Sequence, residues 1–311
     1  MKIRLGYACI SNALDETSSS LVTYSYFKKL EDNKKGAGYN KLNEVIISNF
    51  NSLENILQYN IRNDIHFYRL SSNIIPLLTH PEVEIDLNKY KSYFSNIGKI
   101  IKENNIRVDM HVDPYYVLNS VSDNVVKSTI NICKIYHNMF KLMKIKSNLI
   151  FHVGGKTISK EDGIKRFINN FKLLDKDIQD MIMIENDDKI YNIIDCINIS
   201  KEINCKICLD YHHYKCNNDK EDISNYLEYI FNTFDGIPKV HFSSPKSKKE
   251  YRAHHDFIDI KEFVKFLNMI KVCDRDIDIM IEAKMKDDAL FRLIRQLKYL
   301  GYKLSETTIY L

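Results

Sequence analysis

At 311 residues, with 44% hydrophobic side chains and a net charge of +4, the chain has apolar material for a large core. Its basic balance is too mild to imply nucleic acid by composition alone. No run of about 18 apolar residues occurs, which argues against a helical membrane span, and the opening MKIRLGYACI is too short and interrupted for a secretory signal. Seven cysteines without a disulfide framework read as a reduced, intracellular protein.

Short β-rich runs recur along the chain with longer helical patterns between them. IRLGYAC (3–9) is the first. Residues 11–50 follow as a long Ser- and Asn-rich insertion, read as a lid or binding loop. LENILQYNI (53–61) then places Leu53, Ile56, Leu57 and Ile61 on one helical face. The next runs are IHFYRL (65–70), IRVDMHV (106–112), NLIFHV (148–153), MIMIE (181–185), KICLD (206–210) and KVHF (239–242). FVKFLNMI (263–270) is helical in spacing, DIMIEA (278–283) is the eighth β-rich run, and LFRLIRQL (290–297) is helical again. Strand alternating with helix predicts parallel β-structure, and eight units predict an α/β fold closed as a (β/α)8 TIM barrel, a single domain over 1–311. An open doubly wound sheet is the alternative, but Gly154–Gly155 is neither a Walker loop nor a dinucleotide fingerprint.

In such a barrel the active site forms where the strands end. The first run leads into Tyr7, Cys9 and Asn12, and the second into Arg69, Ser71 and Ser72. The third and fourth give His111 and His152, and the fifth gives Glu185. The sixth gives Asp210, His212 and His213; the seventh gives His241, followed by His254 and His255; the eighth gives Glu282 and Lys284. A single histidine at a strand end is more often bonded to backbone than to metal. Six consecutive strands delivering His, Asp or Glu to one end is a different matter. Buried carboxylates converging on an axis repel one another and lose solvation unless cations sit between them. Imidazole plus carboxylate suits Zn²⁺ or Mn²⁺, and the ligands outnumber the needs of one ion, so two or three divalent ions are expected.

CKICLDYHHYKC (205–216) superficially resembles a zinc knuckle. Cys205 and Cys208 lie in or beside a strand, where side chains three apart point to opposite faces, so core packing is the better reading. After the seventh run, PKSKKEYR carries Lys246, Lys248, Lys249 and Arg252, with Lys239 just before. It reads either as a solvated loop or as a set of phosphate contacts beside the metal centre. DPYYV (113–117) sets Tyr115 and Tyr116 just beyond His111, where aromatics can stack on bases or wedge between them.

With LGYAC, YRLSSNIIPLLTHP (68–81), MHVDPYYV, FHVGG, IENDD, LDYHH, KVHFSS, AHHDF and IMIEAKMKDDAL (279–290) in this order, the sequence resembles the UV damage endonuclease family over nearly its whole length. The resemblance implies a TIM barrel akin to endonuclease IV, up to three ions with Mn²⁺ foremost and Zn²⁺ or Mg²⁺ as alternatives, and DNA cleavage 5′ to a UV photoproduct or other distorting lesion. It implies metal ligands at His111, His152, Glu185, Asp210, His212, His241, His254 and Glu282, with His213 an alternative to His212. Lys239 matches a lysine that the family carries as a carboxylated residue placed by the metals. Tyr7 matches a tyrosine used near the lesion, Asn12 a nearby asparagine, and Arg69 and His80 fall in a shared motif. The segment that probes the duplex is one residue longer here, with Tyr116 in place of the family's tyrosine and Tyr115 in place of its glutamine.

The expected chemistry is metal-dependent phosphodiester hydrolysis leaving a 3′-hydroxyl and a 5′-phosphate, with Glu185 and Glu282 holding ions and Lys239 as a catalytic residue assisting in charge control or water activation. The partner is damaged double-stranded DNA; no obligate protein partner is evident. Two other readings compete. A TIM-barrel sugar isomerase or epimerase could use the same ligand set, but needs no aromatic and basic mouth. A DNA-binding protein with structural zinc would unfold on chelation.

Overall fold

The computed structural model describes residues 1–311. Its elements in chain order are β1 (Lys2–Ala8), α1 (Tyr24–Asn33), α2 (Ala37–Arg62), β2 (Phe67–Leu70), α3 (Lys91–Glu103), β3 (Arg107–His111), α4 (Asp123–Met143), β4 (Asn148–His152), α5 (Lys160–Phe171) and α6 (Lys176–Gln179). They continue with β5 (Ile182–Glu185), α7 (Ile193–Ile203), β6 (Lys206–Asp210), α8 (Tyr211–Cys216), α9 (Leu227–Asn232), β7 (Lys239–Phe242), α10 (Ile260–Ile270), β8 (Ile277–Ile281), α11 (Lys286–Tyr299), β9 (Lys303–Ser305) and β10 (Thr308–Tyr310). Strands β1 to β8 pair in parallel, each with the next, and β1 pairs with both β2 and β8, so the barrel closes. None of the helices is long and apolar enough to cross a membrane.

Closure divides the apolar side chains by the two-residue period of each strand. Ile3, Leu5 and Tyr7 join the large core between the barrel and its helices. Ala8, Phe67 and Met280 form a small separate cluster, as do Ile150, Met183, Cys208 and Phe234. These two clusters plug the inside of the barrel. Polar side chains two residues further along the same inward faces therefore stand in a ring at the C-terminal rim.

Two features depart from the sequence reading. The insertion after β1 is helical for most of its length, as α1 and the 26-residue α2, rather than a loop. Two buried asparagines of α2 pin it. Asn49 accepts from the Ser20 amide and donates to the Ser20 and Ile74 carbonyls, and Asn60 accepts from the Tyr7 hydroxyl at 2.7 Å. The second departure is an unanticipated hairpin, β9–β10, which lies antiparallel against Lys2–Arg4 of β1. There β10 occupies the flank of β1 that β2 reaches only at Tyr7 and Ala8.

Candidate metal centre at the barrel rim

Glu185 ends β5 and is 1% exposed. Four imidazoles surround its carboxylate. His241 Nδ1 lies 2.6 Å from Oε1 and His111 Nε2 lies 2.9 Å from Oε2, with His152 at 3.7 Å and His213 at 3.8 Å. Glu282, just past β8, approaches His241 Nδ1 at 3.2 Å and His254 at 3.9 Å. Three trios result: His111–His152–Glu185, Glu185–Asp210–His213 and Glu185–His241–Glu282. Glu185 belongs to all three.

Local structure orients the rings. His111 Nδ1 bonds the Val112 carbonyl at 2.8 Å, which leaves Nε2 as the atom facing Glu185. Asp210 caps α8, accepting from the His213 amide at 2.7 Å, and His213 Nδ1 bonds the Asn186 carbonyl at 3.0 Å. Asn186 is itself fully buried and clamps β6, donating to the Asp210 carbonyl and accepting from the Asp210 amide, each at 2.9 Å. Asp187 next to it accepts from the amides of residues 189–191, so it shapes the loop rather than entering the cluster.

One layer deeper, Lys239 and Arg69 meet a charge that sequence reasoning did not single out. Asp109, two residues before His111 on the same inward face, accepts from Lys239 Nζ at 2.5 Å and faces Arg69 Nε at 3.6 Å. Arg69 also reaches Glu282 at 2.6 Å and His241 at 2.7 Å. The alternation in VDMH was the available signal for Asp109.

The electrostatics follow from this packing. Burial raises the Glu185 carboxyl, but His241 and His152 outweigh it and hold its pKa well below the usual carboxylate range. For Asp210 burial wins and pushes the pKa up to about 7. Burial lowers His213, yet Asp210 and Glu185 outweigh that and push it up to about 9. His241 is lowered to about 4, chiefly by burial.

The residues fit divalent ions. Asp109, Glu185, Asp210 and Glu282 are four carboxylates at the barrel interior and rim, and only Arg69 and Lys239 are permanent cations among them. Asp210 Oδ2 and His152 Nδ1 are buried without a hydrogen-bond partner. Uncompensated carboxylates and orphaned ligand atoms are the conditions under which a metal ion is favourable.

Three expectations are corrected, those for His212, Tyr7 and Arg69. His213, not His212, faces Glu185: α8 turns His212 away toward Cys216 Sγ (3.8 Å) and the His254 ring. Tyr7 is fully buried, shares the outward face of Ile3 and Leu5, and bonds Asn60, so it cannot meet a lesion. Arg69 is 7% exposed and spent on internal ion pairs, which leaves no guanidinium for DNA. The expected ligand His254 stands at the edge, near Glu282 but outside the three trios. Lys239 lies fully buried beneath the trios, two residues before His241 on the same inward face. Cys205 and Cys208 pack into different cores, as strand geometry requires.

The remaining expected residues are dispersed over the loops. Asn12 is exposed, and its amide donates to Asp287 at 2.7 Å. His80 stacks on Tyr24, ring centroids 3.9 Å apart. Tyr115 is 84% exposed, whereas Tyr116 lines a cavity of about 200 Å³ with Asp113, His152 and Asp188. Lys248 is exposed and free of ion pairs, and Lys246 pairs with Glu250 at 2.7 Å.

The family model of UV-endonuclease UvdE matches residues 3–306. The chain belongs to the UvdE family of UV-endonucleases. A UV DNA damage endonuclease of Bacillus cereus (strain B4264) is 38% identical over 305 residues, covering 96% of this chain and 95% of that protein. The crystal structure of SacUVDE superposes with a TM-score of 0.87 at 31% identity, covering 96% of this chain and 99% of that one. Endonuclease IV from Thermus thermophilus gives a TM-score of 0.57 at 11% identity, over 96% and 99% of the two chains, and shares the fold. Membership of a nuclease family along nearly the full length sets the sugar-epimerase alternative aside.

Proposed function

We propose that this UvdE-family nuclease is a divalent-metal-dependent DNA repair endonuclease. It incises the strand 5′ to UV photoproducts and other helix-distorting lesions and leaves 3′-hydroxyl and 5′-phosphate ends. The observation that carries the reading is Glu185, a buried carboxylate common to three ligand trios. Full-length similarity to UV DNA damage endonucleases supports the substrate.

The three trios would hold the ions, with Glu185 shared and His254 beside Glu282 at the edge. Divalent ions bound there, Mn²⁺ foremost with Zn²⁺ or Mg²⁺ as alternatives, supply Lewis-acid stabilisation of phosphate charge and a water nucleophile near neutral pH. The chain's own residues prepare the site. Arg69 braces Glu282 and His241 from below, and Lys239 neutralises Asp109, so the rim carboxylates keep fixed positions. The Asp210 carboxylate holds the first turn of α8 and thereby sets the His213 ring.

Lesion choice is assigned to the loop after β3, where Tyr115 projects into solvent and Tyr116 stands behind it. A distorted duplex unstacks at lower cost than an intact one, so an aromatic probe there selects damaged DNA. Lys248, with Lys246 released from Glu250, meets phosphate. The test is nicking of UV-irradiated supercoiled plasmid in Mn²⁺, against unirradiated plasmid and against chelator. Glu185→Gln is expected to abolish nicking; full activity in that variant would refute the metal-centred mechanism.

A further inference from the structure

The loop joining β4 to α5, residues 153–159, leaves the rim directly after His152. Gly155, Lys156, Thr157 and Ile158 are all exposed along it. Ile158 is 79% exposed and has φ +71°. A β-branched residue in the left-handed region is disfavoured, and an isoleucine left in water gains nothing from burial. The side chain therefore weakens the fold on two counts, and it stands outside the hydrophobic core and the side chains packed against it.

The neighbouring loop, after β3, carries Tyr115, 84% exposed. The two loops are tied together. Asn119 Nδ2 donates to the Gly155 carbonyl at 2.8 Å and to the Tyr191 hydroxyl at 3.0 Å. Arg166 bonds the Asn119 carbonyl through Nε at 2.8 Å and the Thr157 carbonyl through Nη2 at 3.0 Å. A Cβ at Gly154, where φ is +122°, would lie 2.2 Å from Asn119 Oδ1, so the close approach requires glycine. Two exposed apolar tips are thus braced on the rim that holds the Glu185 cluster.

We propose that Ile158 is a second apolar probe of duplex DNA, acting with Tyr115 to enter a base step that a lesion has already loosened. The inference rests on the DNA reading above. A branched aliphatic side chain is a suitable wedge between bases, and Lys156, two residues away and exposed, supplies phosphate attraction beside it. Asn119 and Arg166 are positioning residues that set the relation of the two tips.

The test uses the full chain in Mn²⁺, a duplex carrying one thymine dimer, and 2-aminopurine placed beside the lesion to report unstacking. Ile158→Asn, which suits a left-handed backbone and removes the exposed apolar group, is expected to raise KM about tenfold, with kcat within about twofold of wild type, and to reduce the 2-aminopurine signal. Its melting temperature is expected to hold or rise, opposite to the loss of a structural contact. Ile158→Met is expected to restore KM to within about threefold of wild type, because a flexible apolar side chain can still wedge. An Ile158→Asn enzyme with wild-type KM and 2-aminopurine signal would overturn the probe while leaving the nuclease reading intact. So would a fall in melting temperature with unchanged KM. A wild-type chain that neither binds nor nicks the damaged duplex would sink the nuclease reading, and the probe with it.

Discussion

Replacing Asp109 by Asn isolates the charge pair beneath the metal centre. Asp109 and Lys239 are each fully buried and meet at 2.5 Å, and Arg69 shares the same carboxylate at 3.6 Å. Burial raises the Asp109 carboxyl, but Lys239 and Arg69 outweigh it and hold its pKa below the ordinary value; burial lowers that of Lys239. Removing the carboxylate charge leaves an ammonium in a dry interior, which costs about 3–5 kcal/mol. The unfolding entropy is about 2.1 cal/mol/K per residue. Over 311 residues that is about 0.65 kcal/mol/K, so the melting temperature should drop by about 5–8 °C. Calorimetry at neutral pH reads this directly. The double variant Asp109→Leu, Lys239→Met removes both charges together and should recover most of the loss, because neither is then buried alone. An Asp109→Asn protein melting within about 1 °C of wild type would refute the claim that this pair is a dry counter-charge.

Gly98 of α3 lies so close to α4 that a Cβ there would sit 1.8 Å from the Met143 carbonyl oxygen. Gly98→Ala should therefore destabilise by about 1–3 kcal/mol or more in a denaturant titration, despite the better helix propensity of alanine. His212 is fully buried and its pKa is lowered to about 4, first by burial and then by His254 and His213. Between about pH 4 and 6.5 the unfolded chain binds the extra proton, so stability falls as pH drops through that window. Melting curves across the window should show a shallower slope for His212→Gln than for wild type. Chelation should lower the melting temperature yet leave the far-UV circular dichroism of a folded barrel, since the core is built without metal ligands; loss of helical signal on chelation would favour a structural-zinc protein instead.

The barrel was legible because each strand–helix unit carries its own period. Runs such as MIMIE and KICLD end in a polar residue at the place where an inward face leaves the apolar plug and reaches the rim. The helical insertion was less legible because composition does not count hydrogen bonds. Asn49 looks like a loop residue in a string of letters, yet it is fully buried and bonded to Ser20 and Ile74, both distant in sequence. The hairpin Lys303–Tyr310 is short and half-exposed, and it takes its order from pairing with β1.

By itself the sequence determined the strand and helix pattern, the family resemblance and the set of imidazoles and carboxylates delivered to one rim, since these depend on local period and residue type. Only the tertiary structure decided which groups meet. The turn of α8 selects His213 over His212, the outward face of β1 buries Tyr7 against Asn60, and closure of the barrel brings Asp109 and Lys239, 130 residues apart in the chain, to 2.5 Å. Direction and distance across a closed sheet are properties of the whole barrel, because each depends on the register and pleat of strands far apart in the chain.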